Sequence, residues 1–250
     1  MATYVLIHGA WYGGWCWATL AKELESRGHR CFAPDLPGHG QDRTLASTIT
    51  FESYVDSLRP YLAVAAEPVI LVGHSFGAMI AQSLAEQTPG RTKCLVFVAG
   101  NVAPSGSSLI DIVVGDPESR LGPDARESDG IVSRIRKESA IPALFNRCTT
   151  EVAYWAAAQL GAEPIGPWSH QIECRSAAYS EIPKYYIECT DDRAVTPKQQ
   201  RAIRQAAPCD FLTLLEADHS PFLSQPIDLA VRLHSLSQPT GDSVNLWKNG

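Results

Sequence analysis

The chain has 250 residues, 45% hydrophobic and 19% charged, with a formal net charge of -6, which is enough apolar material for one large α/β core. The acidic balance leaves no basic field for nucleic acid or an anionic membrane surface, so neither is expected as a partner. The seven cysteines (16, 31, 94, 148, 174, 189 and 209) are scattered and form no C-x-x-C pair, which argues against a disulfide framework or zinc site and for small buried hydrophobes.

The start, MATYVLIHGA, lacks the cationic opening and longer apolar stretch of a signal peptide. No apolar run approaches the roughly twenty residues of a membrane span, so a soluble, cytoplasmic protein is expected. TYVLIH (3–8) reads as a strand, WCWATLAKELESRG as a helix, RCFAPDL (30–36) as a strand and FESYVDSLRPYLAVAA as a second helix. PVILV (68–72) is a continuous apolar, β-branched run, the signature of a strand buried on both faces. AMIAQSLAEQ (78–87) has helical spacing, and TKCLVFVAG (92–100) is again a strand.

Residues 104–182 break this rhythm with Pro, Gly, Ser and charge, followed by helical stretches such as TTEVAYWAAAQL. So long a segment is not expected to be bare loop in a compact domain, and it reads as a mostly helical cap inserted between core halves 1–103 and 183–250. KYYIECT (184–190), PKQQRAIRQAA, DFLTLLEA (210–217) and PFLSQPIDLAVRLHSL then resume the alternation, before a polar, peripheral tail, QPTGDSVNLWKNG. Such alternation predicts an α/β fold: a mostly parallel sheet of about six strands with helices on both faces. Sites in such folds gather at the carboxyl edge of the sheet.

Ser75 stands between Gly73 and Gly77, where the buried strand turns into a helix. This G-x-S-x-G arrangement in a strand-turn-helix context is a nucleophile elbow. A serine hydroxyl needs a base, and of histidines 8, 29, 39, 74, 170, 219 and 234, His219 in EADHSPF follows the last strand on the same sheet edge. His39 and His170 fall on loops and follow that edge logic less cleanly, while His8 and His74 beside glycines read as shaping backbone turns. The base needs a carboxylate to fix its tautomer. Asp191 and Asp192, after KYYIECT, supply the order Ser, Asp, His, and the pattern alone barely chooses between them. Asp218 adjoins His219, but neighbouring side chains diverge; Asn101, after the strand ending at Gly100, offers no acid. Backbone N–H groups for an oxyanion are expected from Phe76, after the nucleophile, and from Ala10 in the loop HGAWYGGW.

These segments resemble the α/β-hydrolase superfamily, in particular its branch of plant methylesterases, hydroxynitrile lyases and small bacterial esterases. The resemblance rests on YVLIHGAWYGGWCW, GHxxxxPDLPGHG (28–40), VILVGHSFGAM, CTDDRAVTP and ADHSPFLSQP; the 104–182 insertion carries little of it. It implies Asp192 as the triad acid and Ala10 and Phe76 as oxyanion donors. Lyases of this branch usually carry a threonine after the first-strand histidine, a lysine after the triad histidine and a glutamate before the nucleophile. Gly9, Ser220 and His74 hold those positions here, which favours ester hydrolysis.

The expected activity is therefore that of a serine carboxylesterase-type hydrolase acting through an acyl-enzyme, with a small-molecule ester and water as its substrates and no metal or organic cofactor. Trp11 and Tyr12 beside Ala10, and Phe145, Tyr154, Trp155 and Trp168 in the insertion, are candidate walls for a small to medium, fairly hydrophobic or aromatic ester. Amide, carbamate or lactone hydrolysis, lyase chemistry and a ligand receptor on the same fold are the alternatives. Oligomeric state is not legible in the sequence.

Overall fold

The strands sort their side chains between two buried cores in a computed structural model that describes residues 1–113, 116–237 and 246–249. In β1 (Thr3–Ile7), Val5 and Ile7 enter one core while Tyr4 and Leu6 enter the other. A strand covered on both faces has no solvent-facing positions, which is why it reads as continuously apolar. α1 (Ala18–Ser26) covers one face with Leu20 and Leu24, and β2 (Arg30–Phe32) pairs parallel with β1. α2 (Phe51–Ala63) lies against the other face through Tyr54, Val55 and Leu58. Its start is fixed by a reciprocal box: the Thr50 hydroxyl accepts from the Ser53 N–H, and the Ser53 hydroxyl from the Thr50 N–H, each at 3.1 Å.

β3 (Val69–His74) repeats the two-faced pattern and leads into α3 (Gly77–Gln87), buried throughout residues 77–85. After β4 (Thr92–Val98), the chain enters the long intervening segment. It contains α4 (Leu109–Val113), β5 (Arg126–Ser128), β6 (Val132–Ile135), α5 (Lys137–Leu144), α6 (Thr150–Gln159), β7 (Glu163–Pro164) and α7 (Ala177–Ser180). The helices match the sequence expectation. The antiparallel sheet β5-β6-β7 adds to it, and strands this short carry too few positions for a two-residue period to register.

β8 (Lys184–Cys189), α8 (Pro197–Ala206), β9 (Phe211–Leu215), α9 (Pro221–Ser224) and α10 (Pro226–Ser235) resume the alternation. The main sheet runs β10-β9-β8-β4-β3-β1-β2, in which β10 (Lys248–Asn249) is antiparallel to β9 and the other pairings are parallel. The end of the tail thus supplies an edge strand instead of lying apart; its residues 238–245 fall outside the described residues. All seven cysteines are free thiols. No helix among the described residues is long and apolar enough to cross a membrane.

The parallel order brings the carboxyl ends of β1, β3, β4, β8 and β9 to one edge of the sheet. The loops that follow them carry, in turn, Ala10 and Trp11, Ser75, Asn101, Asp192, and His219.

Candidate active site

Ser75 adopts φ = 50°, in the left-handed region that non-glycine residues rarely occupy. The turn is made possible by its glycines: a Cβ on Gly73 would sit 2.6 Å from the Ala78 Cα, and one on Gly77 2.6 Å from the carbonyl oxygens of Ile7 and His8. Neighbouring backbone holds the strained serine in place, its N–H donating to the Val98 carbonyl at 3.2 Å and its carbonyl accepting from the Asn101 N–H at 3.0 Å.

His219 lies buried after β9, its Nδ1 2.7 Å from Asp192 Oδ2. A carboxylate there accepts, so Nδ1 is the donor, and in the neutral imidazole this tautomer leaves the lone pair on Nε2. Asp192 is itself fixed. Its Oδ1 accepts from the N–H groups of Ala194 (2.8 Å) and Val195 (2.9 Å), and its Oδ2 also accepts from Gln200 Nε2 at 3.3 Å. Gln200, fully buried on α8, also bridges the Cys189 backbone from both sides of its amide. Asp191 instead turns outward to Arg147, 3.3 Å away, and Asp218 accepts from the N–H groups of Arg147 and Ser220 and from the Ser224 hydroxyl. Neither contacts the His219 ring.

Ser75 and His219 line the same cavity of about 600 Å³. No hydrogen bond joins them here; catalytic hydrogen bonds in ligand-free enzymes are commonly long and tighten once substrate is bound. His74 steadies the base from behind: its Nε2 donates to the His219 carbonyl at 2.8 Å, with ring centroids 4.6 Å apart. Burial, then the adjacent His219, hold the His74 pKa well below the ordinary imidazole value, so it is a neutral support.

Ala10 and Phe76 also line the cavity, and among the described residues neither backbone N–H finds an acceptor. Unpaired N–H groups at buried positions are rare. The loop carrying Ala10 is fastened one residue on: the Trp11 N–H donates to Glu163 Oε2 at 3.0 Å, and the Trp11 indole N–H to the Ser133 carbonyl at 3.1 Å. Glu163 Oε2 also accepts from His39 Nε2 at 2.7 Å, while His39 Nδ1 donates to the Pro37 carbonyl at 3.0 Å. Both imidazole nitrogens therefore donate, which makes His39 a buried imidazolium paired with a buried carboxylate. Burial alone would lower the His39 pKa; the charge and hydrogen bond of Glu163, with the Pro37 carbonyl and Asp35, outweigh it and raise it.

The rest of the wall is mainly apolar, including Leu109, Val113, Leu121 and Val195. Of the aromatic residues expected to line it, Trp11 and Trp168 do so, meeting edge to face with centroids 5.8 Å apart. Tyr12, Phe145, Tyr154 and Trp155 do not. Tyr12 is buried, its hydroxyl 2.6 Å from Ser220 Oγ, and Phe145 packs against its ring. Tyr154 and Trp155 are 67% and 47% exposed because α6 turns Ala153 and Ala156 inward. His39 and His170 lie off the cavity, the latter stacked on Phe51 and 3.2 Å from Glu52. The reading from sequence missed Gln200, Glu163 and Arg126; the first resembles any polar helix residue, and the others sit in turn-rich sequence with no periodic signal.

The model of the alpha/beta hydrolase family matches residues 4–233. Methylesterase 17 of Arabidopsis thaliana is 28% identical over 245 residues, covering 90% of this chain and 88% of the relative. A carbendazim hydrolyzing esterase of Nocardioides sp. (strain SG-4G) is 37% identical over 115 residues, 45% of this chain and 48% of the relative. The alignments cover from 56% to 92% of the lengths of the Arabidopsis relatives. Among solved structures, a pyrethroid hydrolase from Sphingobium faniae JZ-2 superposes with a TM-score of 0.85 at 26% identity, over 94% of this chain and 96% of that one.

Proposed function

The chain belongs to the alpha/beta hydrolase family, and on that premise we propose that it is a serine carboxylic-ester hydrolase working through Ser75, His219 and Asp192. The observation that carries this reading is the left-handed Ser75 facing the cavity it shares with His219, whose far nitrogen is bound to Asp192 at 2.7 Å. Ser75 Oγ attacks the ester carbonyl while His219 Nε2 takes its proton. The resulting oxyanion meets the N–H groups of Ala10 and Phe76, both without a partner in the free protein. Collapse breaks the bond to the alcohol oxygen, which receives the proton from His219. Water, deprotonated by the same nitrogen, then attacks the acyl-enzyme and releases the acid. Asp192 stays ionised throughout and stabilises the imidazolium.

In this reading residues 104–182 form a cap over core halves 1–103 and 183–250, supplying Leu109, Arg126 and Trp168 to the cavity wall. The mainly apolar wall suits a small to medium, fairly hydrophobic or aromatic ester. Lyase chemistry is less well served, because the residue after His219 is Ser220, already bound to the Tyr12 hydroxyl. The test is a set of initial rates on p-nitrophenyl esters from acetate to octanoate for wild type and Ser75→Ala. A loss of about a thousandfold or more in the variant is expected; two proteins equally inert on every ester would overturn the reading.

A further inference from the structure

Three residues of the cavity wall have a fully buried side-chain polar atom with no hydrogen-bond partner: Arg126 (Nε), Trp168 (Nε1) and Asn101 (Oδ1). Asn101 follows the strand beside Ser75 and belongs with the catalytic edge. The other two come from the inserted segment and are neighbours, the Arg126 guanidinium carbon lying 5.6 Å from the centre of the Trp168 ring. Arg126 takes part in none of the ion pairs among the described residues.

Asp116, the acidic side chain in the same wall, is already engaged, its Oδ1 accepting from the Glu118 N–H at 3.3 Å and its Oδ2 from the Thr196 N–H at 3.2 Å. Arg126 is thus a half-buried cation with no ion-pair partner among the described residues, and its desolvation lowers its pKa below the ordinary guanidinium value. An uncompensated buried charge is unfavourable unless something pairs with it. A guanidinium fork and an indole N–H are both donors only, and the fork fits the two oxygens of a carboxylate.

We infer that the ester hydrolysed here carries, besides its ester group, a free carboxylate held by the Arg126 guanidinium, so that the substrate class is the mono-esters of dicarboxylic acids. This rests on the esterase reading above. The free carboxylate is unchanged by the reaction: water is added across the ester bond, the alcohol leaves, and a dicarboxylate is released.

The experiment compares monomethyl esters of dicarboxylic acids from succinate to sebacate with the same esters whose free acid is a primary amide. Wild type is expected to favour the acid form of at least one chain length by about 10- to 100-fold in kcat/KM, mostly through KM. Arg126→Gln is expected to lose at least about tenfold more kcat/KM on the acid form than on the amide-capped ester, so that the preference disappears, and Arg126→Lys restores part of it. The urea midpoint of each variant is the control for folding. Equal rates on both forms in wild type, or equal losses on both in Arg126→Gln, overturn the carboxylate subsite. Calorimetric titration of the matching dicarboxylate into Ser75→Ala, with and without Arg126→Gln, separates the two readings. Ester turnover with no dicarboxylate binding refutes the subsite alone, whereas Arg126-dependent binding by a protein inert on every ester refutes the esterase reading alone.

Discussion

Glu163→Gln is an isosteric change at a carboxylate that joins the inserted segment to the Ala10 loop. Glu163 is 1% exposed and accepts from the Trp11 N–H at 3.0 Å, His39 Nε2 at 2.7 Å and the Tyr54 hydroxyl at 3.5 Å. Glutamine keeps an oxygen for Trp11 and His39, while its amide N–H faces Tyr54, whose hydroxyl turns from donor to acceptor across that long 3.5 Å contact, so the main loss is the charge. Charge-assisted hydrogen bonds contribute about 1.5–3 kcal/mol each and neutral ones about 0.5–1.5, which puts the loss at roughly 1–3 kcal/mol. Glu163→Ala, which strands the imidazolium, is expected to cost about 3–5 kcal/mol.

The difference between wild type and Glu163→Gln must also depend on pH. His39 has a raised folded pKa, so its contribution is fully present below the unfolded imidazole value of about 6.5 and is lost as pH rises through the folded value. Urea unfolding of both proteins from about pH 5.5 to about pH 9 reads this directly: the gap should be widest at the acid end and shrink towards the alkaline end. A gap that is constant across the range would mean that His39 is not the cation argued for here, and one that widens with pH would reverse the sign of the whole account.

Three further outcomes are expected. Asp192→Asn presents an amide N–H to His219 Nδ1 or forces the wrong tautomer, so kcat should fall by about 10⁴ with the fold intact; a loss under about tenfold would remove Asp192 from the mechanism. Gly73→Ala puts a Cβ 2.6 Å from the Ala78 Cα, and a lowered urea midpoint is expected, by about 1–3 kcal/mol; unchanged stability would mean that strand and helix have room to part. Trp155→Ala, at an exposed and off-cavity position, should leave kcat/KM on any ester within about twofold, and a large loss would return Trp155 to the substrate wall.

Ser75 and His219 stand out in the sequence because each lies where an element ends and glycine or proline marks the boundary, whereas the pattern barely chooses between Asp191 and Asp192 and only the family resemblance points to Asp192. The sheet was readable because β3 and β4 are buried on both faces, leaving no polar position to blur the apolar run. Glu163 was not, since its partner His39 lies 124 residues away and nothing local foretells a buried pair. The cavity wall was misjudged for a related reason. Large aromatics were the natural candidates in α6, yet packing against the core admits only Ala153 and Ala156, and Tyr154 and Trp155 go to solvent. Which way a short helix faces is decided by the surface it meets, and its own residues say little about that.

Among the described residues, the non-glycine positions with positive φ are Trp11, Ser75 and Ala99. They follow β1, β3 and β4, three neighbouring strands, all at the end where the cavity opens. Each such residue costs on the order of 1–3 kcal/mol relative to a relaxed backbone. The molecule has therefore traded resistance to unfolding for placement at one narrow rim. A search for thermostable variants should find its easiest gains there, with Ala99→Gly as a first example. At Ser75, by contrast, the same relief would remove the hydroxyl that the strained backbone holds out.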